Sequence, residues 1–361
     1  MKVGVVSGHE AGMIEDAVRI AIPLRERGVD VVLDEFIGQE RGESGEPLEH
    51  MDVDLLLVVG SDRTLLYTLL RLGSREVPIL PVASRGQPDF LFDVTADNFS
   101  SVADDIVQRR WSVDRRSRIV ATISGKQTPP VLNEIGVFAK RSATLITYSL
   151  TIDGERVWKD SADGVIVTTP TGSTAYAMSV GGPVILNSAR VVAIVPVNSG
   201  NPMRRPLIVP DTTRIGVGEI SPRTAVEAVL DGQIRRPIRD RAIEIMRSPH
   251  DALVVKLTDE RVAMLQGKLQ RKTQTPESVP HDLPPSAKLV LKVLEYQDSM
   301  TQSEIVEETK LPARTVRHAL STLISEGLVT RRVSLRDSRQ SIFAIARSGT
   351  TSTAGEVYID E

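Results

Sequence analysis

Apolar residues in the first hundred positions change their spacing in a regular way. Val3–Ser7 is a short apolar run. Glu15–Arg27 then places Ala17, Ile20, Ala21 and Leu24 at helical intervals and closes at Gly28, a helix-stop signal. Val29–Leu33 reads as a second strand and Gly38–Pro47 as a polar, Gly-rich loop. Asp54–Val59 is a continuous apolar strand of the kind buried on both faces of a parallel sheet. A helix over Thr64–Leu72 and a strand over Val77–Val82 follow. This β-α-β-β-α-β order predicts a small open α/β sheet with ligands at the carboxyl ends of its strands.

From Ile119 to Val255 the pattern shifts to short β-rich runs between Gly, Pro, Asp and Asn, which predicts an all-β domain. The runs are Ile119–Ile123, Thr144–Ile152, Gly164–Thr168, Val191–Pro196, Thr213–Val217 and Ala225–Leu230. Residues 272–286, with four prolines, read as a linker. Ser286–Gln297 is then helix-like, with Leu289, Val290, Val293 and Leu294 on one stripe. Thr301-Gln302-Ser303-Glu304 is a capping box that opens a second helix, ending near Lys310. Pro312 introduces a third, Ala313–Glu326, with Val316, Ala319, Leu320 and Leu323 facing inward until Gly327 stops it. Val329–Val333 and Ser341–Ile345 form a hairpin. The tail from Ser348 is expected to be disordered. The expected division is 1–118 α/β, 119–271 β-rich, 272–284 linker, 285–347 helical with a hairpin, and 348–361 tail.

Composition narrows the chemistry. There is no cysteine, which excludes a disulfide framework, a thiolate metal site and a Cys nucleophile. The N-terminal apolar run lacks the h-region of a signal peptide, and no window approaches 18 apolar residues. A cytoplasmic protein without membrane partners is expected. The net charge of −3 conceals an asymmetry, because residues 310–347 hold eight Lys and Arg against two acidic residues. Only that C-terminal part has the electrostatics of a polyanion binder.

Three segments carry candidate chemistry. Gly60-Ser61-Asp62-Arg63-Thr64 joins a strand to a helix, a place where backbone N–H groups meet phosphate and an Asp can serve as a general base. A plain helix cap explains the same residues. Asn133-Glu134 can read a base edge or clamp hydroxyls, or form a solvated turn. Asp163–Ile185, DGVIVTTPTGSTAYAMSVGGPVI, sets six hydroxyl residues within nine positions between an apolar strand and a small-residue stretch. That context favours a packed, ligand-facing loop over a surface one.

This last segment closely resembles the diagnostic region of NAD kinases, D-G-x-x-V-S-T-P-T-G-S-T-A-Y followed by S-x-G-G-P, with Thr168 where the family usually has Ser. Other pieces fall in family order. They are Gly60–Thr64 for G-G-D-G-T, Asn133-Glu134 for N-E, Arg205-Pro206-Leu207 for R-P-L, Asp231-Gly232-Gln233 for D-G-Q and Lys268-Leu269 for K-L. The resemblance, over residues 1–271, implies an α/β N-terminal domain joined to a β-rich, sandwich-like domain, with the dinucleotide in the cleft between them. It implies phosphoryl transfer from ATP, or polyphosphate, to the 2′-hydroxyl of NAD to give NADP, assisted by Mg²⁺ or another divalent cation. Asp62 would be the general base or orienting carboxylate. Asn133, Glu134, Asp163, Thr174, Ala175, Tyr176, Ser179 and Gln233 would line the NAD site. Family members are commonly oligomers, so a homo-oligomer is expected.

The sequence departs from the family where phosphate should bind. Two glycines of G-G-D-G-T are replaced, by Ser61 and Arg63, and Arg63 could supply a guanidinium to a phosphate. The family's G-x-N reads Pro81-Val82-Ala83, Gly200 stands where many members have His, and Ser161 stands for a basic residue. Two readings follow: an active kinase, or a catalytically weak NAD(P)-sensing transcriptional regulator. The C-terminal helices and hairpin resemble a winged helix-turn-helix of the MarR-like type. Its recognition helix would offer Arg314, Thr315, Arg317 and His318 to DNA, and its wing Arg336 and Arg339. A winged helix used for dimerisation or protein contact is the alternative, and His318 is equally an ordinary solvated helix residue.

Overall fold

The computed structural model describes residues 1–84, 91–141, 144–221, 225–257, 283–296, 299–309, 311–333 and 341–345. The chain divides into two compact units, Met1–Asp259 and Glu260–Glu361.

In the first unit the described residues build a mostly parallel seven-stranded sheet. Its order is Asp30–Leu33, Lys2–Ser7, Leu55–Gly60, Pro78–Ala83, Ala252–Lys256, Ser112–Arg116, with Val94–Thr95 added beside Pro78–Ala83. Every residue of Leu55–Gly60 is buried, as a continuous apolar run in a two-sided sheet requires. Leu55, Leu57 and Val59 pack with Ala17, Ile20 and Leu24 of the helix Ala11–Glu26 and with Phe99 and Ala103 of the helix Phe99–Val107. Leu56 and Val58 face the other way, onto Leu65 and Leu69 of the helix Asp62–Leu72. This alternation is the strand period expressed in packing.

The expected loop Gly38–Pro47 begins instead with a helical stretch, Glu35–Arg41, closed by Gly42 in the left-handed region at φ 66°. Gly38 is helical, and an added Cβ there would lie 2.8 Å from the Gly45 nitrogen. Glycine serves close backbone approach here, not chain reversal.

Two antiparallel sheets of six strands each form a sandwich. One runs Glu155–Ala162, Ile146–Ile152, Ile215–Gly218, Ile243–Arg247, Ile119–Ile123, Lys126–Gln127. The other runs Leu207–Pro210, Val191–Val197, Gly164–Thr168, Glu134–Ala139, Val226–Leu230, Ile234–Pro237. Ile135, Val137, Val165 and Val167 of one sheet share a core with Tyr148, Leu150, Val217 and Ile245 of the other. Leu70 of the helix Asp62–Leu72 enters the same core. The strand Ala252–Lys256 leaves the β-rich run and joins the α/β sheet, pairing Leu253 with Pro78 in parallel. The expected continuous β-rich stretch 119–271 is therefore interrupted, because an apolar strand pattern does not say which sheet will accept it. Arg118 joins the parts: its buried guanidinium donates to the Gly73 carbonyl at 2.9 Å and to the His250 carbonyl at 3.0 Å.

In the second unit, the helices Pro285–Tyr296, Gln302–Thr309 and Ala313–Ser325 accompany a three-stranded sheet ordered Ser299–Thr301, Ser341–Ile345, Val329–Val333. Val316, Ala319, Leu320 and Leu323 are buried together with Ile305 and Phe343. The first helix buries Ala287, Val290, Leu291 and Leu294, while Leu289 faces outward, correcting the expected stripe by one position. The capping box is formed. Thr301 N–H donates to Glu304 Oε2 at 2.7 Å, and Glu304 N–H to Thr301 Oγ1 at 3.3 Å. The short strand Ser299–Thr301 had no separate signal in the sequence. Most of the expected linker, Lys268-Leu269, the wing residues Arg336 and Arg339, and the tail from 348 lie outside the described residues.

Candidate functional site

The strand Gly164–Thr168 is the spine of the site. It pairs with Glu134–Ala139 on one side, Thr168 opposite Glu134, and with Val191–Val197 on the other. Its first residue has no side chain because Phe138 lies across it. A Cβ on Gly164 would also stand 2.7 Å from the Val137 carbonyl oxygen.

After Thr168 the chain folds into the loop Thr169–Ala175, whose hydroxyl groups bond mostly within the protein. Thr168 Oγ1 donates to the Asn133 carbonyl at 3.1 Å, and Thr169 Oγ1 to the Leu132 carbonyl at 2.5 Å. The Gly172 N–H donates to Thr169 Oγ1 at 3.1 Å, and Ser173 Oγ accepts the Ile185 N–H at 2.9 Å. Gly172 presses against Asn133, where an added Cβ would lie 2.5 Å from the carbonyl carbon. Two hydroxyls of the segment thus hold the backbone at Leu132 and Asn133, and the others hold the loop to itself, to Ile185 and to Asn187.

Asp231 completes the hold from below. Its buried carboxylate accepts N–H groups from Leu132 and Asn133 at 2.8 Å and from Glu134 at 2.9 Å. Burial outweighs these bonds and pushes its pKa up to about 6. Sequence points to Gln233 in this turn, whereas the φ of 47° at Asp231 and its long-range partners become visible only in the fold. Asn133 and Glu134 are buried, and the Asn133 Oδ1 atom has no hydrogen-bond partner among the described residues. A buried acceptor without a partner is costly and calls for one.

The remaining candidates gather with uneven closeness. Tyr176 stacks near Phe138 with ring centroids 6.1 Å apart. Partial burial, then the charges of Asp163 and Glu134, raise its phenol pKa, so both carboxylates reach it electrostatically. Asp163 is half-buried and accepts from the Asn198 amide at 2.8 Å. Thr174 is buried, Ala175 and Gln233 are half-buried, and Ser179 is exposed. Two departures from the family pattern meet in space, because the Gly200 N–H donates to the Ser161 carbonyl at 2.7 Å.

At Gly60–Thr64 the chain forms a helix cap. Ser61, not Asp62, is the cap, in a reciprocal box with Thr64. Asp62 and Arg63 are the first two helical residues, so the glycine that Arg63 replaces is not needed for a positive φ. Gly60 retains that freedom, at φ 153°. Arg63 is exposed, whereas Asp62 Oδ1 accepts the Leu91 N–H at 2.9 Å across the sheet end. The same helix packs through Leu66 and Leu69 in one cluster with Leu132, the residue before Asn133. Among the described residues, no three His, Cys, Asp or Glu side chains gather as a metal cage.

In the second unit, Arg314, Arg317 and His318 are exposed on the helix Ala313–Ser325, and Thr315 is half-buried. A groove beside Arg317 also takes in Gln302, Ser303 and Arg331, none of which the sequence singled out for contact. Arg331 Nε donates to Ser341 Oγ at 2.9 Å. No helix among the described residues is long and apolar enough to cross a membrane.

Known proteins resemble this chain in sequence and fold. The family description "ATP-NAD kinase C-terminal domain" matches residues 132–257, and "MarR family" matches residues 281–340. The chain is 31% identical over 274 residues to a NAD kinase of Methanothermobacter thermautotrophicus, covering 74% of this chain and 96% of that protein. It is 33% identical over 267 residues to one of Thermococcus kodakarensis, covering 72% and 95% respectively. The solved NAD kinase of Archaeoglobus fulgidus in complex with ATP superposes with a TM-score of 0.62 at 27% identity, covering 75% of this chain and 99% of that one. Yeast NADH kinase complexed with NADH shares the fold, with a TM-score of 0.67 at 21% identity over 76% of this chain and 89% of that one.

Proposed function

This chain belongs to the NAD kinase family, and from that premise we propose that it transfers the γ-phosphoryl group of ATP to the 2′-hydroxyl of NAD, giving NADP and ADP. The observation that carries the reading is the buried Asn133 Oδ1 atom, without a partner, on a backbone fixed by Asp231 and the loop Thr169–Ala175. It is an acceptor suited to the amino group of a nucleobase. Glu134, Asp163, Thr174, Ala175, Tyr176, Ser179 and Gln233 line the rest of the dinucleotide site in this proposal.

Asp62 takes the 2′-hydroxyl proton as the ribose oxygen bonds to the γ-phosphorus and the bond to the β-phosphate oxygen breaks. Little covalent machinery is required, since positioning and charge stabilisation supply most of the catalysis of phosphoryl transfer. A divalent cation would arrive on the donor's phosphates, which is the usual habit of Mg²⁺. Such an ion would neutralise phosphate charge, and Asp62 is the carboxylate that would share it. Polyphosphate is the alternative donor, and Arg63 is the exposed cation positioned to meet either one. The winged-helix unit binds DNA in this proposal, with Arg314, Thr315 and Arg317 toward the major groove. A cytoplasmic homo-oligomer completes the reading.

The test is NADP formation by the full chain given NAD, ATP and Mg²⁺, with NAD binding measured alongside. Turnover abolished in Asp62→Asn with NAD binding retained is the expected result. A wild-type protein that binds NADP tightly and makes none would replace this reading with the sensor.

A further inference from the structure

Asn198 follows the strand Val191–Val197 at φ 48°, a left-handed conformation that Asn tolerates better than most residues and that still costs energy. Strain of this kind persists where surrounding structure enforces it, and here the enforcement is visible. The Asp163 N–H donates to the Val197 carbonyl at 3.0 Å, so the backbones on either side of the Asn198–Asp163 contact are tied together. The following segment is clamped onto the strand that leads into Asp163. Ser199 Oγ lies 2.8 Å from both oxygens of buried Asp160. Arg204 Nε donates to Asp160 Oδ2 at 3.2 Å, and its guanidinium lies 4.5 Å from the Trp158 ring centre. The exposed Asn198 amide therefore meets Asp163 Oδ2 at 2.8 Å from a backbone held on both sides.

We propose that Asn198 is a positioning residue that locks the Asp163 carboxylate in one rotamer, occupying one oxygen and presenting the group to hydroxyls of the bound dinucleotide. This rests on the reading of Asp163 as a dinucleotide ligand. Asn198 touches no substrate itself and acts through Asp163. Without the amide, Asp163 turns freely and must be immobilised again at each binding event. That weakens ground-state affinity and leaves the chemical step intact.

Asn198→Gly keeps the left-handed backbone and removes the donor. Asn198→Asp keeps the shape and sets acceptor against acceptor. In the full chain, Asn198→Gly is expected to raise KM for NAD roughly 3- to 10-fold with kcat within about twofold and KM for ATP unchanged. Asn198→Asp raises it further. In an Asp163→Ala background neither substitution adds anything, which a merely structural role would not produce. Unchanged NAD affinity in both variants, or an equal effect with Asp163 absent, overturns the proposal. Calorimetric titration of wild type with NAD separates the two levels. No binding by wild type overturns the dinucleotide reading and this inference with it. Wild-type binding matched by Asn198→Gly overturns this inference alone.

Discussion

Replacing Asp231 with Asn sets two opposing terms against each other, and the structure supplies both. The carboxylate accepts two N–H groups at Oδ1, from Asn133 and Glu134, and one at Oδ2, from Leu132. An amide keeps a single carbonyl oxygen, best placed for the pair, and turns its own donor toward the Leu132 N–H. One orphaned buried donor costs about 1–3 kcal/mol. Against this, burial raises the Asp231 pKa from 3.8 to about 6. The folded state therefore holds this proton where the unfolded chain has released it. Stability attached to the group is fully present below pH ~4 and lost as pH rises through ~6, to a total of about 3 kcal/mol. The neutral amide carries no such loss. Asp231→Asn should then be distinctly less stable than wild type at pH 5, with the deficit shrinking by about 1 kcal/mol at pH 7. Urea unfolding followed by tryptophan fluorescence isolates the relevant unit, because Trp111 and Trp158 are the two tryptophans of the chain and both lie before residue 259. A deficit that is flat or grows between pH 5 and pH 7 would refute the burial argument.

Gly172→Ala should raise KM for NAD at least tenfold or leave the protein insoluble, since the new Cβ meets the backbone of Asn133, which cannot yield. Gly125→Ala, at φ 74° with open space around it, should cost only about 1–2 kcal/mol in unfolding and leave NADP formation intact. Thr301→Ala removes the reciprocal cap of the helix Gln302–Thr309 and should destabilise it by roughly 0.5–2 kcal/mol, read as faster amide exchange over 302–309. Arg317→Ala should weaken duplex DNA binding across sequences and lower the log–log salt slope by about one in mobility-shift titrations. An unchanged slope would place Arg317 away from phosphate.

Local spacing along the chain settles those elements whose burial repeats at a regular interval. Ala17, Ile20, Ala21 and Leu24 recur at helical intervals and are all buried. Val316, Ala319, Leu320 and Leu323 do the same in the helix Ala313–Ser325. The Asp163–Ile185 pattern is legible because it is contiguous, and it falls within the family-matched residues 132–257. What it does not disclose is that most of its hydroxyl groups bind the protein itself, at Leu132, Asn133, Thr171, Ile185 and Asn187. Nor could the sequence set Asp231 beneath Leu132, 99 positions away, or send Ala252–Lys256 back to the first sheet. Local spacing records which side of an element meets a core; which core, and which distant backbone a side chain bonds, depends on chain closure over tens of residues. Only the tertiary structure decides that, because the same short apolar run or turn Asp satisfies many partners equally well until packing leaves one.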